Sequence, residues 1–473
     1  MASIHHSYLA GQAIQSDRYV DVYNPYNNEL IAQVTECSAV HTQQAIEKAL
    51  GLGSRLTRYE RFEILDKTRR ALLAEKESFA KLITSEAGLC LRETLYEVGR
   101  ACDVLQFSAM EALKDDGQVF SCDVSPQGKA RKIFTLREPL NLAVAITPFN
   151  HPLNQVAHKL GPAIAAGTPI ILKPSEKTPL SAIRLAELLY DNGLPGEMLS
   201  VLLGPTQAVA EPLVLDERVE LVSFTGSVAV GKHIAKTAGY KKLVLELGGN
   251  DPLIILEDAD MELAVHLACE GAFRNSGQRC TAVKRILVQR SILDAFTEAF
   301  VKKAARYTSG DPGSMDTRVG TVIDEPSAER LSQAVENAVA QGAKVLLGGG
   351  RKGALLEPTV ITDVPRDAEM VTSESFGPLA PLLAVDDMDD AIQLTNSTPY
   401  GLSSGVVTNN MEQALKAVRE LKCGTVNINE VPGYRIECSP FGGIKDSGLG
   451  IKEGVIEAIK CMTTVKTFSL PWG

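Results

Sequence analysis

Leu142-Ala-Val-Ala-Ile146, Pro169-Ile-Ile-Leu-Lys173 and Lys242-Leu-Val-Leu-Glu246 are short apolar runs of strand length. Ser200–Leu203 and Glu220–Phe224 read the same way, with helical patterns such as Ser181–Tyr190 and Ser227–Ala238 between the runs. Apolar strands alternating with helices predict a parallel α/β sheet covered on both faces. A second αβ series starts near Pro252. It runs through Asp260–Asn275, Val283–Val288, Ile292–Tyr307, Glu325–Gln341, Lys344–Leu347, Asp387–Asn396 and Met411–Leu421, which puts a domain boundary near Asn250. Upstream, apolar periodicity predicts long helices over Thr57–Ala87 and Arg92–Asp116, the second broken by Gly117. Between these regions, Val119–Val124 and Arg131–Leu136 flank Ser125-Pro-Gln-Gly-Lys129 and read as a hairpin. The tail, Thr463–Ser469, reads as a strand able to pair with that hairpin.

A chain of 473 residues suits two or three domains. Lys and Arg total 48 against 58 Asp and Glu, for a net charge of −10, which argues against nucleic acid or an anionic membrane as partner. Aromatic content is 5%, without a basic stripe, and no apolar run approaches the roughly 20 residues of a membrane span. Residues 1–15 carry no apolar segment of the secretory kind. Nine scattered cysteines with no Cys-x-x-Cys pair argue against a disulfide framework and against a zinc site. The expectation is a cytoplasmic enzyme without a metal.

Five places carry candidate chemistry. Cys280 lies in Asn275-Ser-Gly-Gln-Arg-Cys-Thr281, whose small polar residues place the thiol in a turn where it is accessible; an apolar setting would mark a structural thiol. Glu246 ends a predicted strand and so faces the crevice in which α/β sheets hold ligands. Asn150, in Thr147-Pro-Phe-Asn-His-Pro152, follows another strand, where its amide can serve a developing oxyanion or simply a turn. Phe224-Thr-Gly-Ser227 passes from strand to helix, so Gly226 and Ser227 stand where backbone N–H groups can receive a diphosphate, although the Gly-x-Gly-x-x-Gly spacing is absent. Lys173-Pro-Ser-Glu176 adds a cation and a carboxylate able to hold a ribose, or to form an ordinary solvated loop.

In chain order, Pro148-Phe-Asn150, Lys173-Pro-Ser-Glu176, Phe224-Thr-Gly-Ser227, Leu245-Glu-Leu-Gly-Gly249, Gly277-Gln-Arg-Cys280, Glu374-Ser-Phe-Gly-Pro378 and Phe441-Gly-Gly-Ile-Lys-Asp-Ser-Gly448 resemble the NAD(P)-dependent aldehyde dehydrogenase superfamily over essentially the whole chain. The resemblance implies two doubly wound, Rossmann-like α/β domains and a small β extension for oligomerisation. Residues 1–117 and 140–250 would form the NAD-binding domain, 251–450 the catalytic domain, and 118–139 with 451–473 the extension. It implies Cys280 as nucleophile, Asn150 and the Cys280 N–H as oxyanion hole, and Glu246 as general base. Lys173 and Glu176 would bind the adenosine ribose, Gly226 and Ser227 the diphosphate, and Glu374 the nicotinamide ribose beside Phe376. Ile146, Thr147, Pro148, Phe149, Ser175, Gly204, Phe224, Thr225, Leu247 and Gly248 would complete the coenzyme cleft. NAD is the expected coenzyme, because the Glu176 carboxylate opposes a 2′-phosphate, with NADP tolerated. Glu246 favours hydrolysis of the thioester over transfer to coenzyme A.

The same resemblance places Arg100, His151, Arg279 and Arg435 along the substrate tunnel. Guanidinium forks suit a carboxylate or phosphonate, so a small anionic aldehyde is expected. The plainer alternative has Arg279 capping a carbonyl, Arg100 in an interdomain ion pair, Arg435 solvated and His151 structural. The arginine pattern resembles that of non-phosphorylating glyceraldehyde-3-phosphate dehydrogenases and of phosphonoacetaldehyde dehydrogenases. Pro148–Asn154, Phe120–Val124, Pro432–Glu437 and Val465–Trp472 look more like the second group, which implies oxidation of phosphonoacetaldehyde to phosphonoacetate. Lactaldehyde or succinate semialdehyde are alternative substrates, and a non-catalytic protein retaining the fold is the rival class. A homodimer or dimer of dimers is expected.

Overall fold

The computed structural model describes residues 3–472. Its first seven-stranded sheet runs in the order Lys242–Glu246, Leu221–Thr225, Ala143–Ile146, Ile170–Lys173, Leu199–Val201, Tyr8–Leu9, Gln12–Ala13. The first five strands are parallel, and the N-terminal pair closes the sheet antiparallel. Val144, Ile171, Leu172 and Val222 are fully buried, which is why these strands read as unbroken apolar runs.

The second seven-stranded sheet runs Lys344–Leu347, Thr359–Thr362, Leu379–Val385, Arg285–Gln289, Pro252–Ile255, Ser403–Val407, Thr425–Ile428. Only its first pair is antiparallel. The class is therefore α/β with two mostly parallel sheets. The sequence reading found the helices around the second sheet but passed over Leu379–Val385, Ser403–Val407 and Thr425–Ile428 as strands, since short apolar runs have no distinguishing period.

Three local readings need correction. Thr57–Ala87 is two helices, Arg58–Ala74 and Lys76–Ala87, meeting at Glu75 with φ −97° and ψ 16°; the apolar stripe continues across the joint. The next helix, Leu91–Ala112, ends before Gly117. The expected extension 451–473 divides at Met462. Val455–Cys461 is a helix whose Val455, with Met462, is buried in the core of the first domain, so only Thr463–Pro471 joins the β extension. That strand pairs antiparallel with Arg131–Pro139 through nine residue pairs, and Val119–Ser121 adds a short third strand.

The carboxyl ends of Ala143–Ile146, Ile170–Lys173, Leu221–Thr225 and Lys242–Glu246 lie along one edge of the first sheet. Thr147–Asn150, Pro174–Glu176, Gly226–Ser227 and Leu247–Gly248 follow those ends directly. In the second sheet, Cys280 precedes the strand Arg285–Gln289, and Glu374 and Phe376 precede Leu379–Val385. The crevice thus lies between carboxyl ends of one sheet and amino ends of the other.

Candidate active site

A cavity of about 420 Å³ occupies this crevice. The first sheet contributes Pro148, Phe149, Asn150, Thr225, Gly226, Ser227, Glu246, Leu247 and Gly248, and the second contributes Cys280, Glu374 and Phe376. Phe149 and Phe376 meet edge to face at 5.9 Å across it.

Cys280 is delivered by a tight turn. Asn275, Ser276 and Gly277 have φ of 56°, 53° and 69° in succession. Glycine is required at 277, because a Cβ there would lie 2.0 Å from the Gly377 carbonyl oxygen. Side-chain amides knit the turn to the first sheet: Asn275 Nδ2 donates to Asn150 O at 3.0 Å, and Asn150 Nδ2 donates to Gln278 O at 2.8 Å. An amide nitrogen carries two hydrogens, so Asn150 retains one for an oxyanion.

Cys280 is half-buried and lines the cavity, so the thiol is reachable as the sequence led one to expect, but its surroundings oppose ionisation. Burial pushes the Cys280 thiol up to about 11, with Glu246 and Asp251 adding to the rise and Lys284 and Arg435 opposing it. Glu246 is also buried, at 4% exposure, and its Oε1 has no hydrogen-bond partner. Desolvation and the nearby Glu453 hold its carboxyl well above the usual carboxylate range, which suits a base that takes a proton near neutrality. The Phe441–Gly448 motif packs on it: Leu247 N donates to Ser447 O at 3.1 Å, and Glu246 bridges Gly448.

On the coenzyme side, Glu374 Oε1 accepts the Gly249 N–H at 3.1 Å, and a Cβ on Gly248 would fall 2.1 Å from Glu374 Oε2. Lys173 is buried and paired with the exposed Glu176 at 2.9 Å. Ser175 Oγ accepts the Lys177 N–H, and Gly204 packs its backbone on Cys37 O. Lys173, Ser175, Glu176, Gly204, Ile146 and Thr147 share the sheet edge, and the wall of the Cys280 cavity is formed by other residues. One expectation changes: the Gly226 N–H is already spent on Glu246 O at 3.0 Å, and Ser227 caps the helix Val228–Thr237, so any anion there must use the amides that follow. The site fits a nicotinamide coenzyme: an aromatic-flanked cavity stands beside buried Thr147 Oγ1 and Thr225 Oγ1, which have no protein partner.

None of the four expected substrate residues is on the wall of the Cys280 cavity, but the charges of the three arginines all act on His151. His151 is held well below the ordinary histidine value by burial and by the positive charges of Arg100, Arg279, Arg435 and Arg274. The plainer readings also hold in part. Arg279 Nη2 donates to Glu270 O and Gly271 O at 2.9 and 2.6 Å, leaving its buried Nε unpartnered. Arg100 Nε donates to Glu437, whose other oxygen meets His158. Arg435 is not solvated but stacks 3.9 Å above the Phe441 ring, and its charge reaches Cys280 and Glu246. Arg274, Glu437, His158 and Lys284, together with Gln278 and Arg330 on the cavity wall, were not singled out in the sequence. Only the Lys284-Arg285 pair, set in an otherwise apolar strand pattern, offered a signal there.

The aldehyde dehydrogenase family model matches residues 12–468. The chain belongs to this family. It is an NAD(P)-dependent oxidoreductase acting on aldehydes. It is 38% identical over 457 residues to the 3-sulfolactaldehyde dehydrogenase of Priestia megaterium, covering 96% of each chain. The crystal structure of aldehyde dehydrogenase 21 from Physcomitrella patens, in complex with the reaction product succinate, superposes at a TM-score of 0.96 with 34% identity over 99% of this chain and 98% of that one. The glyceraldehyde-3-phosphate dehydrogenase GapN of Methanocaldococcus jannaschii, complexed with NADP, superposes at 0.92 with 38% identity over 96% and 100%.

Proposed function

We propose that this aldehyde dehydrogenase oxidises a small anionic aldehyde, phosphonoacetaldehyde first among them, to the free carboxylate with NAD⁺, and accepts NADP⁺. The observation that carries the reading is that the positive charges of Arg100, Arg279, Arg435 and Arg274 all act on His151, in a chain whose net charge is −10. A half-buried arginine with an unspent N–H, as at Arg279 Nε, favours an anion that completes its hydrogen bonds. Two of the relatives above are named for, or hold, small anionic compounds, a sulfonated aldehyde and succinate, which supports the class.

The residues divide the work as follows. Cys280 releases its proton to solvent water and, as thiolate, attacks the aldehyde carbon, whose C=O π electrons move onto oxygen to give a thiohemiacetal alkoxide. The free Asn150 N–H and the Cys280 backbone N–H receive that charge; losing one such donor costs about 2.7–4 kcal/mol of barrier. A bound nicotinamide supplies the hydride acceptor for collapse of the alkoxide to a thioester. Glu246 then takes a proton from water, which attacks the thioester carbon and releases carboxylate and thiol. The burial of Glu246 and the lack of a hydrogen-bond partner for its Oε1 support a carboxyl that binds a proton readily.

We further infer a cytoplasmic setting from nine free thiols, and self-association through the β extension from its exposed Val119, Phe120, Phe468 and Trp472. The decisive assay compares kcat/KM for phosphonoacetaldehyde, 3-sulfolactaldehyde, glyceraldehyde 3-phosphate, succinate semialdehyde, lactaldehyde and propionaldehyde with each coenzyme. The anionic aldehydes should lead, phosphonoacetaldehyde highest. A higher value for either uncharged aldehyde would overturn the assignment.

A further inference from the structure

Lys284 stands four residues beyond Cys280, at the entry to the strand Arg285–Gln289, and its side chain is 2% exposed. The chemistry above makes no use of it. A buried ammonium is costly unless its charge and all its N–H groups are engaged. Here Nζ donates to Arg279 O at 2.8 Å and to Cys280 O at 2.6 Å, and it pairs with Glu374 Oε1 at 3.0 Å. It also stands 5.9 Å from the centre of the Phe376 ring. Three donors thus have three acceptors. Two are the peptide oxygens on either side of the nucleophile's own amide, and the third is the carboxylate packed against Gly248 on the coenzyme side.

We propose that Lys284 is a positioning residue for the nucleophile: it clamps the Arg279–Cys280 backbone by both carbonyl oxygens, ties that turn to Glu374, and stabilises the sulfur anion through space. The surrounding charges agree. Lys284 is the largest favourable charge acting on the Cys280 thiolate, ahead of Arg435, while Glu246 and Asp251 oppose it. Asp251, Glu374 and Arg285 are the charged neighbours sharing the cluster with Lys284, and the Lys284 N–H donates to Asp251 O at 3.0 Å. Loss of the ammonium therefore removes a grip on the turn and a counter-charge for the sulfur together.

The test uses the full-length enzyme without coenzyme or aldehyde, so its outcome is independent of which aldehyde is the substrate. Alkylation of Cys280 by iodoacetamide, followed by peptide mass spectrometry across about pH 7–11, reports the thiolate fraction. Lys284→Met should slow alkylation at fixed pH by about tenfold, a shift of one pKa unit upward, and Lys284→Arg should restore it. Glu374→Gln should speed alkylation, since the ammonium field is then uncompensated, and this gain should vanish in the double variant. A merely structural lysine would lower thermal stability and leave these rates unmoved. Equal rates for Lys284→Met and wild type overturn the proposal, as does a Glu374→Gln gain that survives in the double variant. Should Lys284→Met fail to fold, an unchanged rate in Glu374→Gln overturns it equally.

Discussion

Asn150 and Cys280 come from different sheets, and the two are joined by hydrogen bonds through Asn275 and Gln278, so the proposed oxyanion donor and the proposed nucleophile are held as one unit. This explains why a turn with three successive left-handed residues is retained despite its strain. The substrate arginines are tied to the protein as well. Arg100 is held by Glu437, whose carboxyl is kept far below the ordinary range, against the cost of its burial, by the His158 hydrogen bond and by the His158, Arg100 and Arg435 charges. Arg100→Ala should therefore raise KM for an anionic aldehyde much more than it lowers kcat, by on the order of 2–5 kcal/mol in kcat/KM, because one partner of a buried charge pair is removed. Steady-state kinetics with phosphonoacetaldehyde and with propionaldehyde check this; a KM unchanged for the anion would place Arg100 outside the tunnel. Cys280, Glu246 and Asn150 were legible in the sequence because each sits in a short motif beside a strand end. Glu437 and His158 were not, since they are 279 residues apart and each looks ordinary where it stands.

Helices behind the site are capped by carboxylates from other helices. Glu97, on Leu91–Ala112, accepts the N–H groups of Leu153 and Asn154 at 2.9 and 3.0 Å, at the start of the helix Asn154–Ala166 that follows the oxyanion loop. Glu86 does the same for Leu180 and Ser181. No local capping box announces either arrangement, because the caps come from distant parts of the chain. Burial pushes the Glu97 carboxyl from 4.5 to about 7. Between those values the folded protein holds a proton that the unfolded chain has released, so stability falls as pH rises through this window and levels off above it. Glu97→Gln keeps an acceptor oxygen and cannot ionise. Its free energy of unfolding should match wild type near pH 4.5 and exceed it above about pH 7, by on the order of 3 kcal/mol at most. Thermal unfolding of both proteins across this range measures the difference, and parallel curves would refute the assignment.

At the scale of the molecule, the strand Thr463–Pro471 returns from the far end of the chain to pair with Arg131–Pro139, with Phe134 stacked on Phe468 at 5.2 Å. A three-stranded sheet with Val119, Phe120, Val465, Leu470 and Trp472 exposed is an open edge that a second copy can extend. Under the proposed self-association, removal of residues 463–473 should leave only monomers in light scattering with the coenzyme cavity intact, because Met462 stays in the core of the first domain and no residue of Thr463–Pro471 lines the cavity. An unchanged molar mass would place the contact elsewhere.

Apolar strand runs, turn residues and seven short motifs were enough to establish an α/β architecture and the family and to single out Cys280 as a candidate nucleophile, because each is written in neighbouring residues. The action of four arginine charges on His151, the commitment of the Gly226 amide to Glu246, the burial of Lys284 and the raised values of Cys280 and Glu246 arise where two sheets meet. Desolvation and charge proximity depend on three-dimensional distance, and spacing along a chain does not encode that distance.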